Sequence, residues 1–200
     1  MAGTFVLPLF PLREAVLLPG EAVHLPLNDA TAAAAQAADG YGGGLVASLV
    51  DGDAVHEVGV TALVEVEPAE HITLRGVGRC RLLSLVDETV PLVKAERFPE
   101  VTSAQGRGNA LARLLRRRYR RLFLTLGKKP ESPLPRGGLS ILTWRLTATL
   151  DLTTEQQQGF LNVPDALTRG KLLLAVVREF EKRERFLRRW AHLRTSEPWN

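Results

Sequence analysis

The residues best able to do chemistry are few and scattered. Four histidines, His24, His56, His71 and His192, stand far apart, and no HExxH or Cys/His pair occurs. A zinc or other transition-metal site needs several such ligands at short, defined spacings, so no metal is expected. Cys80 is the single cysteine. It excludes an internal disulfide and a multi-cysteine site. A nucleophilic cysteine also needs a base held beside it, and no histidine lies close to Cys80 in sequence. There is no GxSxG elbow. Gly76-Val77-Gly78 and Gly106-Arg107-Gly108 have GxG spacing, and neither completes a phosphate-binding GxGxxG or GxxxxGK[ST]. Such a loop works by turning several backbone N–H groups towards an anion at a helix N-terminus, so these glycines read as turns. No cofactor and no catalysis are expected.

The strongest charge signal is Arg113, Arg116, Arg117, Arg118, Arg120 and Arg121. Most of these lie opposite an apolar stripe of Leu111, Leu114, Leu115, Tyr119, Leu122, Phe123 and Leu126, spaced for a helix and interrupted at Arg118. Three readings stand side by side. The arginines form the solvated face of an amphipathic helix, or a phosphate-binding surface centred on Arg113, Arg116, Arg117, Arg120 and Arg121, or the partner of an acidic region elsewhere in the chain. The last rests on the division of charge: residues 1–105 carry 6 Lys/Arg against 14 Asp/Glu, and residues 106–200 carry 20 against 8, within a net charge of +4. Further on, Glu179–Arg183, Glu181–Arg185 and Glu184–Arg188 have the spacing of helical ion pairs.

The elements that must position these residues change character midway. Phe5–Phe10 and Val23–Leu27 read as short strands whose prolines suit edges or bulges, with a turn at Pro19-Gly20. Asn28 or Asp29 can cap an alanine-rich helix running to about Ala38 and stopped by Gly40. Strands follow at Leu45–Val50, Val58–Val66 and His71–Arg75. A break at Gly76–Gly78 precedes Cys80–Val86, and Val90–Phe98 is closed by Pro99. Helices are expected from Leu111 to Leu126, ended by Gly127, and from Leu139 to Leu150. A third is expected at Glu155–Leu161, capped from Asp151–Thr154, and a fourth from Pro164 towards His192. Lys128–Gly138, with three prolines and two glycines, reads as a loop. The fold class is therefore α+β: a β lobe over residues 1–105, as a small barrel or packed sheets, and a helical bundle over 106–200.

With 45% hydrophobic residues in 200, the chain can bury a real core. No apolar run reaches membrane-spanning length, and Met1-Ala2-Gly3-Thr4 lacks the basic region of a signal peptide. These features predict a soluble, cytoplasmic protein.

Several segments resemble the N-terminal substrate-recognition domain of Lon proteases. Leu7-Pro8-Leu9-Phe10-Pro11-Leu12-Arg13, followed by Val16-Leu17-Leu18-Pro19-Gly20, is similar to that family's LPL-PLR opening and PG turn. Gly59-Val60-Thr61-Ala62 is similar to its G-[TV]-x-A strand. Arg75-Gly76-Val77-Gly78-Arg79-Cys80-Arg81-Leu82 resembles its GxxR strand. Glu155-Gln156-Gln157-Gln158-Gly159-Phe160-Leu161 resembles the EKQ-x-LL piece that precedes a long helix. The likeness spans roughly residues 5–190. It departs at the short, glycine-rich Asp39–Asp53 segment and at Trp144-Arg145, where ordinary helix residues are expected. It implies a PUA-like β lobe, a helical second lobe and a role in recognising unfolded or tagged polypeptide, as an adaptor in protein quality control. The ATPase and Ser-Lys peptidase of a Lon protease have no counterpart in these 200 residues, so a stand-alone, non-catalytic module is expected. The expected partners are polypeptide segments or a partner protein, with RNA binding by the basic helix as the alternative and no membrane contact. The apolar segment Leu12, Val16, Leu17 and Leu18, whose prolines limit its pairing, is a candidate docking patch for extended polypeptide. The competing assignment makes the same residues part of the β-lobe core.

Overall fold

The computed structural model describes residues 3–67, 71–87, 91–101, 105–126, 134–135 and 137–189. The expected strand start at Val90, the helix stop at Gly127, most of the Lys128–Gly138 loop and the helix end towards His192 lie outside the described residues. The strands are β1 (Thr4–Leu12), β2 (Ala22–Pro26), β3 (Gly44–Asp51), β4 (Ala54–Val55), β5 (Val58–Glu67), β6 (His71–Asp87) and β7 (Leu92–Arg97). The helices are α1 (Asp29–Asp39), α2 (Gln105–Leu126), α3 (Leu139–Thr149), α4 (Thr154–Asn162) and α5 (Ala166–Arg189). The α+β class expected from the switch of hydrophobic period is the one found.

Two compact units result. The first comprises residues 1–101 and 144–164, and the second residues 102–143 and 165–200. The sequence places α4 and all of α3 with a helical half. In the structure α4 and the second part of α3 group with the sheet.

In the first unit the strands run in the order β1-β7-β6-β5-β3-β4, with β2 added on β6. β1 closes this sheet on itself in part. Its first half is antiparallel to β7, from Thr4↔Glu96 to Pro8↔Leu92. Its second half is parallel to β3, from Leu9↔Val46 to Leu12↔Leu49. Side chains alternate across a strand, and the sheet packs on both faces. Leu45, Ala47 and Leu49 of β3 join a large cluster with Phe10, Val58, Val60, Ile72, Leu74, Trp144 and Leu161. Val46 joins a smaller one with Cys80, Val93 and Ala95.

β6 is one strand of 17 residues, so the expected break at Gly76–Gly78 does not end it. The glycines serve close approach instead. Gly76 donates to the Glu21 carbonyl and accepts from the Gly20 N–H, each at 2.9 Å. A Cβ on Gly76 would sit 2.3 Å from the Leu18 carbonyl oxygen, so only glycine fits there. The irregularity is a bulge in β6 itself: Thr61 pairs with Gly78 and Ala62 with Gly76, so Val77 is the extra residue between the two glycines.

Local caps follow the sequence closely. Asn28 caps α1 and exchanges hydrogen bonds with Thr31, and Thr153 caps α4 in the same reciprocal way with Gln156. Pro164 was expected inside the first turn of the last helix. It precedes that turn, because Asp165 provides the cap: its carboxylate accepts from the N–H groups of Leu167 at 3.2 Å and Thr168 at 2.7 Å.

In the second unit α2 packs against α5, and Ala112, Leu115, Tyr119 and Leu122 of α2 and Leu173, Leu174 and Val177 of α5 are buried. Gly170 permits the approach: a Cβ there would lie 2.9 Å from a Leu111 methyl. Arg118, which interrupts the apolar stripe, pairs with buried Glu181 at 2.9 Å. The three expected helical ion pairs are not formed. Glu179 instead meets Lys182 at 2.6 Å, and Arg185 donates to the Glu181 carbonyl. Arg169 is fully buried and donates from Nε to the Thr143 hydroxyl at 2.8 Å.

Candidate functional site: an open strand edge on the sheet unit

β6 is much longer than β5, and this mismatch creates the site. The last β5 partner is Val58, opposite Arg81. One further bond follows, from the Leu82 N–H to the Glu57 carbonyl at 2.8 Å. Beyond it β6 continues to Asp87, paired on its other side with β7 from Cys80↔Arg97 to Asp87↔Leu92. Among the described residues no strand lies on the β5 side of Leu83–Val86. Leu83, Leu85 and Val86 are exposed by 47%, 50% and 55%. Two register shifts, between Leu82 and Ser84 and between Leu85 and Asp87, distort the ribbon, so the run does not alternate cleanly between faces. An edge with open backbone groups and apolar side chains can take an added strand, in which main-chain bonds hold the segment and side chains select it.

This edge was not legible in the sequence. Cys80–Val86 reads simply as a strand, and its own residues do not say which of its sides lacks a neighbour. The usable signal was length: β6 extends past its β5 neighbour.

The predicted docking patch lies elsewhere in character. Leu12, Val16, Leu17 and Leu18 are 4%, 7%, 2% and 2% exposed and belong to the large sheet cluster. They are core residues, because the turn at Pro19-Gly20 is bonded to Gly76 and folds the segment onto the sheet. They offer no open surface.

The predicted phosphate-binding arginines divide. Arg113, Arg117, Arg120 and Arg121 are exposed on α2. Arg116 is half-buried and donates to the carbonyls of Pro135 at 3.0 Å and Gly137 at 2.6 Å, so it anchors its own loop. His24 and His71 are diagonal neighbours on paired β2 and β6, and His24 Nδ1 lies 2.8 Å from the Thr73 hydroxyl. No cluster of three metal-ligating side chains exists among the described residues, and His192 lies outside them.

Cys80 is fully buried between β5 and β7. Burial pushes its thiol up to about 12, only partly countered by a hydrogen bond with the Gly59 backbone. A thiolate is the reactive form, so native Cys80 is inert. The folded thiol stays protonated where the unfolded one, near 9, has lost its proton. The folded state then binds more protons, and stability falls as pH rises from about 9 towards 12. The slope attributable to this group approaches ~1.4 kcal/mol per pH unit. Urea titrations at pH 8 to 11 should show a smaller slope in Cys80→Ala than in wild type. Equal slopes would contradict the buried, neutral thiol.

Arg79, from the segment that resembles a GxxR strand, is buried rather than poised for a ligand. Its guanidinium donates to the carbonyls of Leu161 (3.0 Å), Val163 (2.6 Å) and Pro164 (3.2 Å). It also lies over the rings of Phe98 and Trp144, 4.5 and 5.4 Å from their centroids. Trp144 and Arg145, unusual from sequence, are thereby explained. Trp144 lines the sheet core, and Arg145 pairs with Glu21.

A partly closed, mostly antiparallel sheet followed by helices is the architecture of the Lon N-terminal domain. The sequence matches the family described as the ATP-dependent protease La (LON) substrate-binding domain over residues 6–179, and the chain belongs to that family. Among solved structures it resembles the N-terminal domain of a Mycobacterium avium complex Lon protease. The TM-score is 0.68 at 18% identity, covering 86% of this chain and 98% of that one. It also resembles a Lon N-terminal domain protein from Xanthomonas campestris, with a TM-score of 0.59 at 23% identity and the same coverage. None of the curated proteins matches the chain by sequence. No helix among the described residues is long and apolar enough to cross a membrane.

Proposed function

We propose that this chain is a polypeptide-recognition module and that the edge of β6 from Leu83 to Val86 receives an extended segment of the bound polypeptide as an added strand. The observation that carries this reading is the half-exposed apolar run on an edge without a strand partner among the described residues. Membership of a substrate-binding family supports the class of ligand. In this reading the chain has no catalysis of its own. It acts as an adaptor for unfolded or tagged segments in protein quality control, in a reducing, cytoplasmic setting that suits its single buried thiol.

The test separates binding from folding. Leu83→Asn combined with Leu85→Asn alters exposed side chains and should change stability by about 1 kcal/mol or less. Binding of a reduced, carboxymethylated unfolded protein, read by fluorescence anisotropy, should weaken at least about tenfold. A peptide ligand N-methylated at alternate residues should lose affinity when the methyls fall on its pairing face and keep it when they fall on the other. Unchanged binding in the double variant would refute the site. Equal loss with both methylated peptides would refute strand addition.

A further inference from the structure

The division into two units sharpens the charge asymmetry of the chain. The sheet unit carries 7 Lys/Arg against 16 Asp/Glu, and the helical unit carries 19 against 6. On α2 the exposed residues Arg113, Arg117, Arg120 and Arg121 fall within about 100° of the helix circumference, over about 12 Å of its length. No carboxylate pairs with any of them among the described residues, whereas Arg118, on the packed side, has Glu181. Leu124 lies in the middle of the same stripe, one turn further on, and is 78% exposed, the most exposed large apolar side chain among the described residues.

We infer that this face of α2 docks an acidic polypeptide segment, one that sets carboxylates against the arginines and an apolar side chain against Leu124. Charge complementarity selects the sign of the partner. A unit with so large a cationic excess attracts acidic chains from a distance and repels basic ones. Leu124 selects the class. An exposed leucine gains nothing from a phosphate backbone, but it can be covered by an apolar residue of a peptide. Nucleic-acid surfaces commonly interleave stacking aromatics with their cations. Here Tyr119 is 2% exposed and stacks on Phe123 at 4.5 Å on the packed side of α2, away from the arginine face. The surface belongs to the helical unit and uses no residue of the β6 edge, so it stands or falls independently of that site.

The probe is a short labelled peptide with glutamates at i, i+4 and i+7 and one leucine, titrated with the full chain at increasing salt. The triple variant Arg113→Gln, Arg117→Gln, Arg120→Gln should bind it at least about tenfold more weakly and show a shallower salt dependence. Leu124→Ala should weaken it about fivefold. Both variants should melt with the wild type, and Leu83→Asn/Leu85→Asn should bind the peptide normally. Three outcomes would overturn the inference. One is peptide binding that is absent or indifferent to the arginines. Another is tighter binding of a single-stranded RNA of equal charge, unaffected by Leu124→Ala. The third is self-association of the wild type in sedimentation that the triple variant abolishes, which would make a second copy the occupant.

Discussion

Arg79→Ala is expected to lower folding stability by about 2–4 kcal/mol, because hydrogen bonds to a charged group contribute about 1.5–3 kcal/mol and a buried acceptor left without a donor costs about 1–3 kcal/mol. The reason lies in what the guanidinium satisfies. α4 ends at Asn162. The carbonyls of a helix's last turn have no acceptor role left within the helix and need outside donors. Leu161 is in that turn, and Val163 and Pro164 follow it in the link to α5. Arg79 serves all three at 2.6 to 3.2 Å, and a cation at this position also suits the negative end of the helix dipole. Alanine leaves the buried Leu161 carbonyl short of a donor, removes the part-buried bonds to Val163 and Pro164, and empties the space between Phe98 and Trp144. Arg79→Lys keeps the charge, yet an ammonium is a point donor and cannot span three carbonyls as the planar fork does. Its loss should be intermediate. Urea unfolding with a common m-value would measure both. A loss below about 1 kcal/mol for Arg79→Ala would show that the bonds are replaceable by water and that Arg79 is not a structural clasp.

Arg79 also marks where sequence reasoning stops. Its neighbours Gly76 and Gly78 are conspicuous, and the segment resembles a GxxR strand, but nothing local says that a charged residue in a basic strand is inside. Its acceptors lie more than eighty positions away, and such long-range pairing leaves no trace in spacing. Local signals fared better. The Asn28 and Thr153 caps were readable because a capping side chain acts within three residues of itself. The switch from strand to helix periodicity near Pro99 was readable because each element writes its burial into its own period. Gly76 was misread as a break because a glycine in a strand has two meanings, a turn or a close backbone approach, and the deciding atom is the Leu18 carbonyl on another segment. The β6 edge was missed for a related reason. Whether an apolar run is covered depends on the length of its neighbour, not on the run itself.

The segment before the Pro19-Gly20 turn gives the second large expected effect. Leu17→Ala and Leu18→Ala should each destabilise by about 2–5 kcal/mol, as large-to-small changes in a packed core do. Leu12→Ser and Val16→Ser should fall in the same range, because each also places a hydroxyl where no water reaches. Prolines at 8, 11 and 19 made this stretch look unable to pair and therefore open. The structure shows another outlet for it. Leu12 ends a strand paired to β3, and the residues after it fold their side chains onto the sheet cluster while the backbone is tied down at Gly76. Lack of ladder pairing frees a backbone, but it does not expose side chains. Leu17 is the sharper of the two tests, since its Cγ would be only 3.3 Å from a Cβ placed on Gly76 and the site is closed on that side by backbone. A wall of main chain cannot collapse into the vacated space, so the cavity should persist and the loss should sit in the upper part of the range. Calorimetry or urea unfolding of Leu17→Ala decides the matter. A melting temperature within a degree or two of wild type would mean that the side chain is dispensable to the core, and would return this segment to the surface as a binding candidate.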